Sequence, residues 1–178
     1  MRADEIKTAL IDYHLDGQLK HEVIIIPELK MESGFGYHSD KRVDLFVMQT
    51  APSKDCLRTA YEIKVSVADF KKEIRTPTKR WSGMMFSNRF YFATSAGLID
   101  PDKIPADCGL IEVKDGRVNV VIKAPHRETA APTWPFVASF FRSGMVTIAR
   151  ARLRHSKKEP DEQDFMPLWD GRGNPEGT

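Results

Sequence analysis

Three charged residues standing inside apolar strands constrain this chain more than any other feature of its sequence. In Val43-Asp44-Leu45-Phe46-Val47 an acid interrupts an apolar run, and in Ala60-Tyr61-Glu62-Ile63-Lys64-Val65 an acid and a base do so. Buried charge is costly unless it is paired, hydrogen-bonded or bound to metal. Period-two alternation puts Glu62 and Lys64 on one face of their strand and turns Ile63 into the core. If the two strands are antiparallel neighbours, Asp44 lies across from that pair. Two carboxylates and an ammonium then converge on one small site. Such a donor set suits Mg²⁺, which takes one or two carboxylates together with waters and phosphate oxygens. A metal held there activates water and neutralises charge on a phosphodiester, while a nearby lysine orients the water.

The rest of the chain frames that site. Ile6, Ala9, Leu10 and Tyr13 fall on one helical face, which predicts a helix over 2–15 ended by Asp16-Gly17. Val23 to about Leu29 reads as a buried strand, and Lys41 to Met48 as a second. In the second, alternation places Val43, Leu45 and Val47 on one face and Asp44, Phe46 and Met48 on the other. Leu57 to Val65 is the third strand. Ser66-Val67-Ala68-Asp69 then has the form of a capping box, opening a short amphipathic helix that stops near Thr76-Pro77. Arg89 to Thr94 is a fourth strand. Asp115-Gly116 between Gly109–Lys114 and Arg117–Lys123 signals a hairpin with a type I′ turn. Residues 125–135 read as a linker, Phe136 to Lys157 as a helix, and 159–178 as a poorly ordered acidic tail. This order implies a mixed α/β sheet.

Composition excludes several classes. A chain of 178 residues with 41% hydrophobic and 29% charged residues is of ordinary globular make-up and fits one domain. No apolar run is long enough to cross a bilayer, and Asp4, Glu5 and Lys7 interrupt any signal-peptide core. Cys56 and Cys108 form neither a disulfide framework nor a zinc motif, which points to a reduced, cytoplasmic setting. The net charge of +2 conceals a bias along the chain. Residues 63–92 carry +5, residues 129–158 carry +6, and the last twenty carry −5. Basic stretches attract phosphate backbones, but solvated helix faces account for them equally well.

Glu-x-Lys by itself is a weak signal, since it recurs as Glu5/Lys7, Glu28/Lys30, Glu62/Lys64 and Glu112/Lys114. The last even follows a literal Pro101-Asp102. Context favours Glu62/Lys64. Asp102 lies in a proline-flanked turn, and Glu112/Lys114 runs straight into a hairpin turn. By contrast, Asp44 lies within an apolar strand, and a capped helix follows Lys64.

Here the sequence resembles the PD-(D/E)xK nuclease superfamily, through Arg42-Val43-Asp44-Leu45 and Tyr61-Glu62-Ile63-Lys64, with Val43 in place of the proline. It is more closely similar to the MmcB-like bacterial DNA-repair proteins. That similarity rests on the run from Glu62 to Phe70, on Asn88-Arg89-Phe90-Tyr91-Phe92-Ala93, and on Pro105 to Ile111, and covers about residues 21–125. The resemblance implies an α/β fold with a restriction-endonuclease-like αβββαβ core and mixed central sheet, to which the C-terminal β-hairpin and helix read from the residues are extra. The nuclease-like domain is placed at 1–128; residues after Pro125 lie beyond the resemblance, and their charge pattern divides them into a basic helical extension over 129–158, expected to pack on the domain, and the acidic tail over 159–178. Asp44 and Glu62 would bind the metal, Mg²⁺ or Mn²⁺, and Lys64 would assist the attacking water. A further acid often precedes the aspartate in such nucleases. Glu28 is the choice for it, with Glu5 as the alternative. Arg42, Lys71, Lys72, Lys79 and Arg80 are candidates for holding DNA phosphates. Trp81 is expected to pack over the core, with base stacking as its alternative. His38 is expected to be an exposed loop residue and Asp69 a helix cap.

The implied function is a Mg²⁺-dependent DNA endonuclease in repair or processing, associated with the nucleoid, without membrane contact, and able to act as a homodimer. The alternative is a catalytically inactive DNA-binding adaptor that keeps the fold. A third possibility gives the acidic tail a role in shielding the basic face or engaging a partner protein.

Overall fold

The computed structural model describes residues 1–16, 23–30, 42–76, 78–129 and 131–142. Helix α1 (Ala3–Leu15) precedes strands β1 (Val23–Lys30), β2 (Arg42–Gln49) and β3 (Leu57–Lys64). Helices α2 (Val67–Arg75) and α3 (Thr78–Met85) lead to β4 (Arg89–Ser95), β5 (Gly109–Lys114) and β6 (Arg117–Ile122). A fourth helix, α4, occupies residues 134–142. The strands form one six-stranded sheet in the order β1-β2-β3-β4-β5-β6. The pairs β1/β2, β2/β3 and β5/β6 are antiparallel, while β3/β4 and β4/β5 are parallel. Asp115 and Gly116 both have positive φ, as the hairpin turn between β5 and β6 requires. Among the described residues no helix is long and apolar enough to cross a membrane.

The sheet is covered on both faces. On one side α1 packs Ile6, Ala9 and Leu10 against Leu45, Val47, Tyr61, Ile63 and Tyr91. Tyr13, expected on the same buried stripe, is 47% exposed, because it lies in the last turn, edge-on to the neighbouring His14 ring. On the other side Phe70 of α2, Met84 of α3 and Phe136 of α4 cover Phe46, Ala60, Phe90 and Phe92. Phe136 stacks on Phe86 at 4.1 Å and meets Phe46 and Phe140 edge-on, which fixes α4 to this face. The rest of the predicted C-terminal helix, the acidic tail and the loop bearing His38 lie outside the described residues.

Two further features depart from the sequence reading. Val43 does not share a face with Leu45 and Val47; it joins Phe46 and Ile26 on the α2 side. The reason lies in β1, where Glu28 adopts a left-handed φ of 53° and the alternation slips. Leu29, paired with Val43, consequently turns to the same side as Ile26. Helix α3 is also unanticipated, since its sequence is polar and contains Gly83. The glycine is needed for close packing: a Cβ there would meet Phe90 and Val43 at 2.9 Å.

Gly109 opens β5 under a similar restriction. A Cβ on it would strike the Tyr91 ring and would come within 2.6 Å of the Ala124 backbone nitrogen. Gly109→Ala is expected to lower the unfolding free energy by about 1–3 kcal/mol in urea denaturation, through overpacking.

A pH dependence follows from α1. Burial holds the His14 imidazole down at about 4 against its ordinary 6.5, and its Nε2 is hydrogen-bonded to the Tyr61 hydroxyl at 2.6 Å. Below pH 6.5 the unfolded chain takes up a proton that the folded chain refuses. This contribution is therefore full above about pH 6.5 and is lost as the pH falls towards 4. Unfolding midpoints measured between pH 7 and pH 4 are expected to fall less steeply in His14→Gln than in the parent.

Candidate functional site

The charged residues of β2 and β3 come together where β3 ends. Main-chain pairing between these strands runs to Leu45 opposite Tyr61. One residue further, the Asp44 side chain takes over: its Oδ2 accepts the Ile63 N–H at 2.7 Å. This places the Asp44 carboxylate on β3 between Glu62 and Lys64. Ile63 points the other way, into the α1-side core, as strand alternation requires.

Glu62 and Lys64 face α2 and are buried, at 2% and 3% exposure. Lys64 Nζ donates to Glu62 Oε1 at 3.0 Å. It also lies 3.4 Å from Asp69 Oδ2 and 3.5 Å from Glu73 Oε2. Helix α2 supplies these two carboxylates because it starts immediately after the strand. Ser66 is its N-cap, with Oγ accepting the Asp69 N–H at 3.2 Å. Asp69 and Glu73 are then one turn apart on one side of the helix. Phe70 anchors that helix edge-on against Phe92 at 5.2 Å. Burial pulls the Lys64 ammonium down, but the Glu62 carboxylate, with Glu73 and Asp69 behind it, outweighs burial and holds it above the ordinary lysine value.

The other predicted residues are distributed differently. Glu28 sits on β1, its carboxylate ion-paired to Lys7 of α1 at 2.6 Å. Glu5 reaches back to Arg2 at the start of α1. Arg42, Lys71 and Lys72 are exposed, and the Lys79 side chain lies outside the described residues. Arg80 is not a surface residue; it is 8% exposed, with Nε and Nη1 lacking a hydrogen-bond acceptor among the described residues. Trp81, expected over the core, is 58% exposed, because α3 turns Met84 inward instead. The rival Glu112 accepts the Gly97 N–H, and Asp102 lies in a single helical turn capped by Asp100.

Sequence reasoning misses Glu73. A signal is present, since Glu73 stands between Phe70 and Ile74 on the apolar side of an amphipathic helix, where an acid needs a partner. Asp69 does more than the cap expected of it; its backbone serves the cap while its side chain faces Lys64.

Among the described residues no three His, Cys, Asp or Glu side chains close a metal cage. Two carboxylates on adjacent strands are nevertheless a donor set of the kind Mg²⁺ accepts, because it retains several waters. Asp44 and Glu62 are such a set.

A family model described as DNA repair protein MmcB-like matches residues 17–155. The chain belongs to the MmcB-like DNA repair protein family. Its MmcB-like region contains every charged residue of the cluster at the end of β3. No curated protein matches the chain. Among solved structures, the SPO1766 protein of unknown function from Silicibacter pomeroyi is similar at 17% identity, with a TM-score of 0.60. The match covers 92% of this MmcB-like chain and 98% of that one. At that identity the likeness is one of fold.

Proposed function

We propose that this MmcB-like protein is a metal-dependent DNA nuclease of the PD-(D/E)xK kind, with a restriction-endonuclease-like core, acting in DNA repair. The observation that carries the reading is the Asp44 carboxylate seated on the Ile63 amide, between the buried Glu62 and Lys64. Asp44 and Glu62 would hold Mg²⁺ or Mn²⁺, which when bound supplies a Lewis acid and an acidified water. The chain's own part is positional and electrostatic. Lys64, held above its ordinary pKa, stays protonated at neutral pH. It therefore acts as a positive charge that orients water and stabilises developing negative charge, and it does not take a proton. Glu73 and Asp69 fix the ammonium so that it keeps one position through the reaction. Exposed Arg42, Lys71 and Lys72 would engage phosphates.

One observation favours a second reading, a DNA-binding adaptor without catalysis. The Lys64 ammonium is already shared among three carboxylates, an arrangement that also serves as a purely structural ion cluster. Calorimetric titration of Mn²⁺ into the parent and the Asp44→Ala/Glu62→Ala variant separates the two. Binding in the parent that is lost in the variant, with metal-dependent cleavage of single-stranded, duplex or branched DNA, supports the nuclease. No metal binding by the parent, together with metal-independent DNA binding, overturns it in favour of the adaptor.

A further inference from the structure

The face of the sheet opposite the Glu62–Lys64 cluster carries a second built site. Parallel pairing sets Thr59 beside Arg89 and Tyr61 beside Tyr91. Period-two alternation then points all four side chains to the α1 face, as a square of two polar and two aromatic residues. The Tyr61 and Tyr91 rings stack at 5.7 Å with an interplanar angle of 18°. His14 of α1 closes one side through its hydrogen bond to the Tyr61 hydroxyl. These residues, with Gln49 and Val120, line a cavity of about 360 Å³. That volume lies at the small-ligand end of the range for pockets that bind organic molecules.

Arg89 gives the cavity its chemistry. Its Nε is buried and has no hydrogen-bond acceptor among the described residues. The neighbouring arginine behaves differently. Arg58 is fixed by the Asn88 side chain through Nε and by Thr129 through Nη2. Among the described lining residues Asp16 is the one carboxylate, and it stands at the end of α1. No ion pair within 4.0 Å joins it to Arg89 among the described residues. His14, neutral at pH 7, adds no charge. A half-buried arginine lining a cavity with its Nε unpartnered is a preformed half of an anion site, since the planar guanidinium fork matches carboxylate and phosphate.

We propose that this cavity binds a small organic anion: a planar ring carrying a carboxylate or phosphate group. The anionic group would pair with Arg89, and the ring would lie along the tyrosine wall. Gln49 and Thr59 offer further donors and acceptors for ring substituents. The site is independent of the nuclease reading, because it faces the other side of the sheet and uses none of the same residues.

The test is calorimetric titration of the full chain with four probes: deoxyadenosine 5′-monophosphate, deoxyadenosine, benzoate and inorganic phosphate. Saturable binding of a ring-bearing anion, about tenfold or more tighter than deoxyadenosine or phosphate alone, is expected. Comparison of the nucleotide with benzoate identifies a phosphate or a carboxylate as the preferred group. Arg89→Met should weaken that binding about tenfold or more. Val120→Trp fills the cavity from a 40%-exposed position and should abolish binding with the melting temperature retained. Failure of all four probes to saturate at millimolar concentration would overturn the proposal. So would binding unchanged in a folded Val120→Trp variant.

Discussion

Replacing Lys64 with methionine is expected to lower the unfolding free energy by about 3–5 kcal/mol, the usual cost of stranding buried charge. Lys64 is the shared partner of Glu62 and Glu73, both buried, and of the half-exposed Asp69. Methionine keeps most of the side-chain volume, so the loss isolates electrostatics from packing. Glu73 is the more vulnerable acid, since its Oε1 is buried without a hydrogen-bond donor among the described residues even in the intact cluster. Neutralising the stranded acids should restore stability. The triple variant Lys64→Met/Glu62→Met/Glu73→Met is expected to recover most of the loss, because buried ion clusters are often replaceable by apolar groups of similar volume. Urea unfolding at pH 7 measures both. A loss below about 1 kcal/mol for Lys64→Met would place the cluster in the range of solvated surface pairs.

The second large effect concerns chemistry. On the nuclease reading, Asp44→Asn and Glu62→Gln are each expected to reduce metal-dependent cleavage on the order of 10³-fold, about 4 kcal/mol of transition-state stabilisation. Stability should change far less. In Asp44→Asn the new amide oxygen can still accept the Ile63 N–H, and in Glu62→Gln the new amide oxygen can still accept from Lys64. Single-turnover cleavage and thermal melting of the same samples separate the two effects. Undiminished cleavage in either variant would remove that residue from the metal site.

The site is legible in the sequence to the extent that it rests on strands. Acids inside apolar runs mark Asp44 and Glu62 because burial makes such residues expensive, and period two fixes which neighbours share a face. Ser66 and Asp69 likewise announce the start of α2. Helix α3 is hidden, because Gly83 serves a close approach to Phe90 and Val43 that only tertiary packing reveals. The slip at Glu28 is hidden for a related reason: a single left-handed residue redirects Leu29 and Val43 without any compositional trace. Position along the chain singles out Glu28 and Glu5, but their side chains are engaged with Lys7 and Arg2. Glu73 escapes notice because one acid on a charged helix looks ordinary until its neighbours Phe70 and Ile74 are seen to face inward.

The bond from Asp44 to the Ile63 amide has an evolutionary reading. A single side chain stands in for the last rung of the β2–β3 ladder and also offers a carboxylate to the site. On the nuclease reading, selection for a sound sheet and selection for chemistry therefore act on the same atoms. On that reading, a descendant without cleavage would still be under pressure to keep Asp44 for the ladder, whereas Glu62 would lose the constraint that metal binding places on it. Among relatives, drift at Glu62 with Asp44 retained would then mark a member in which the proposed metal site is no longer used.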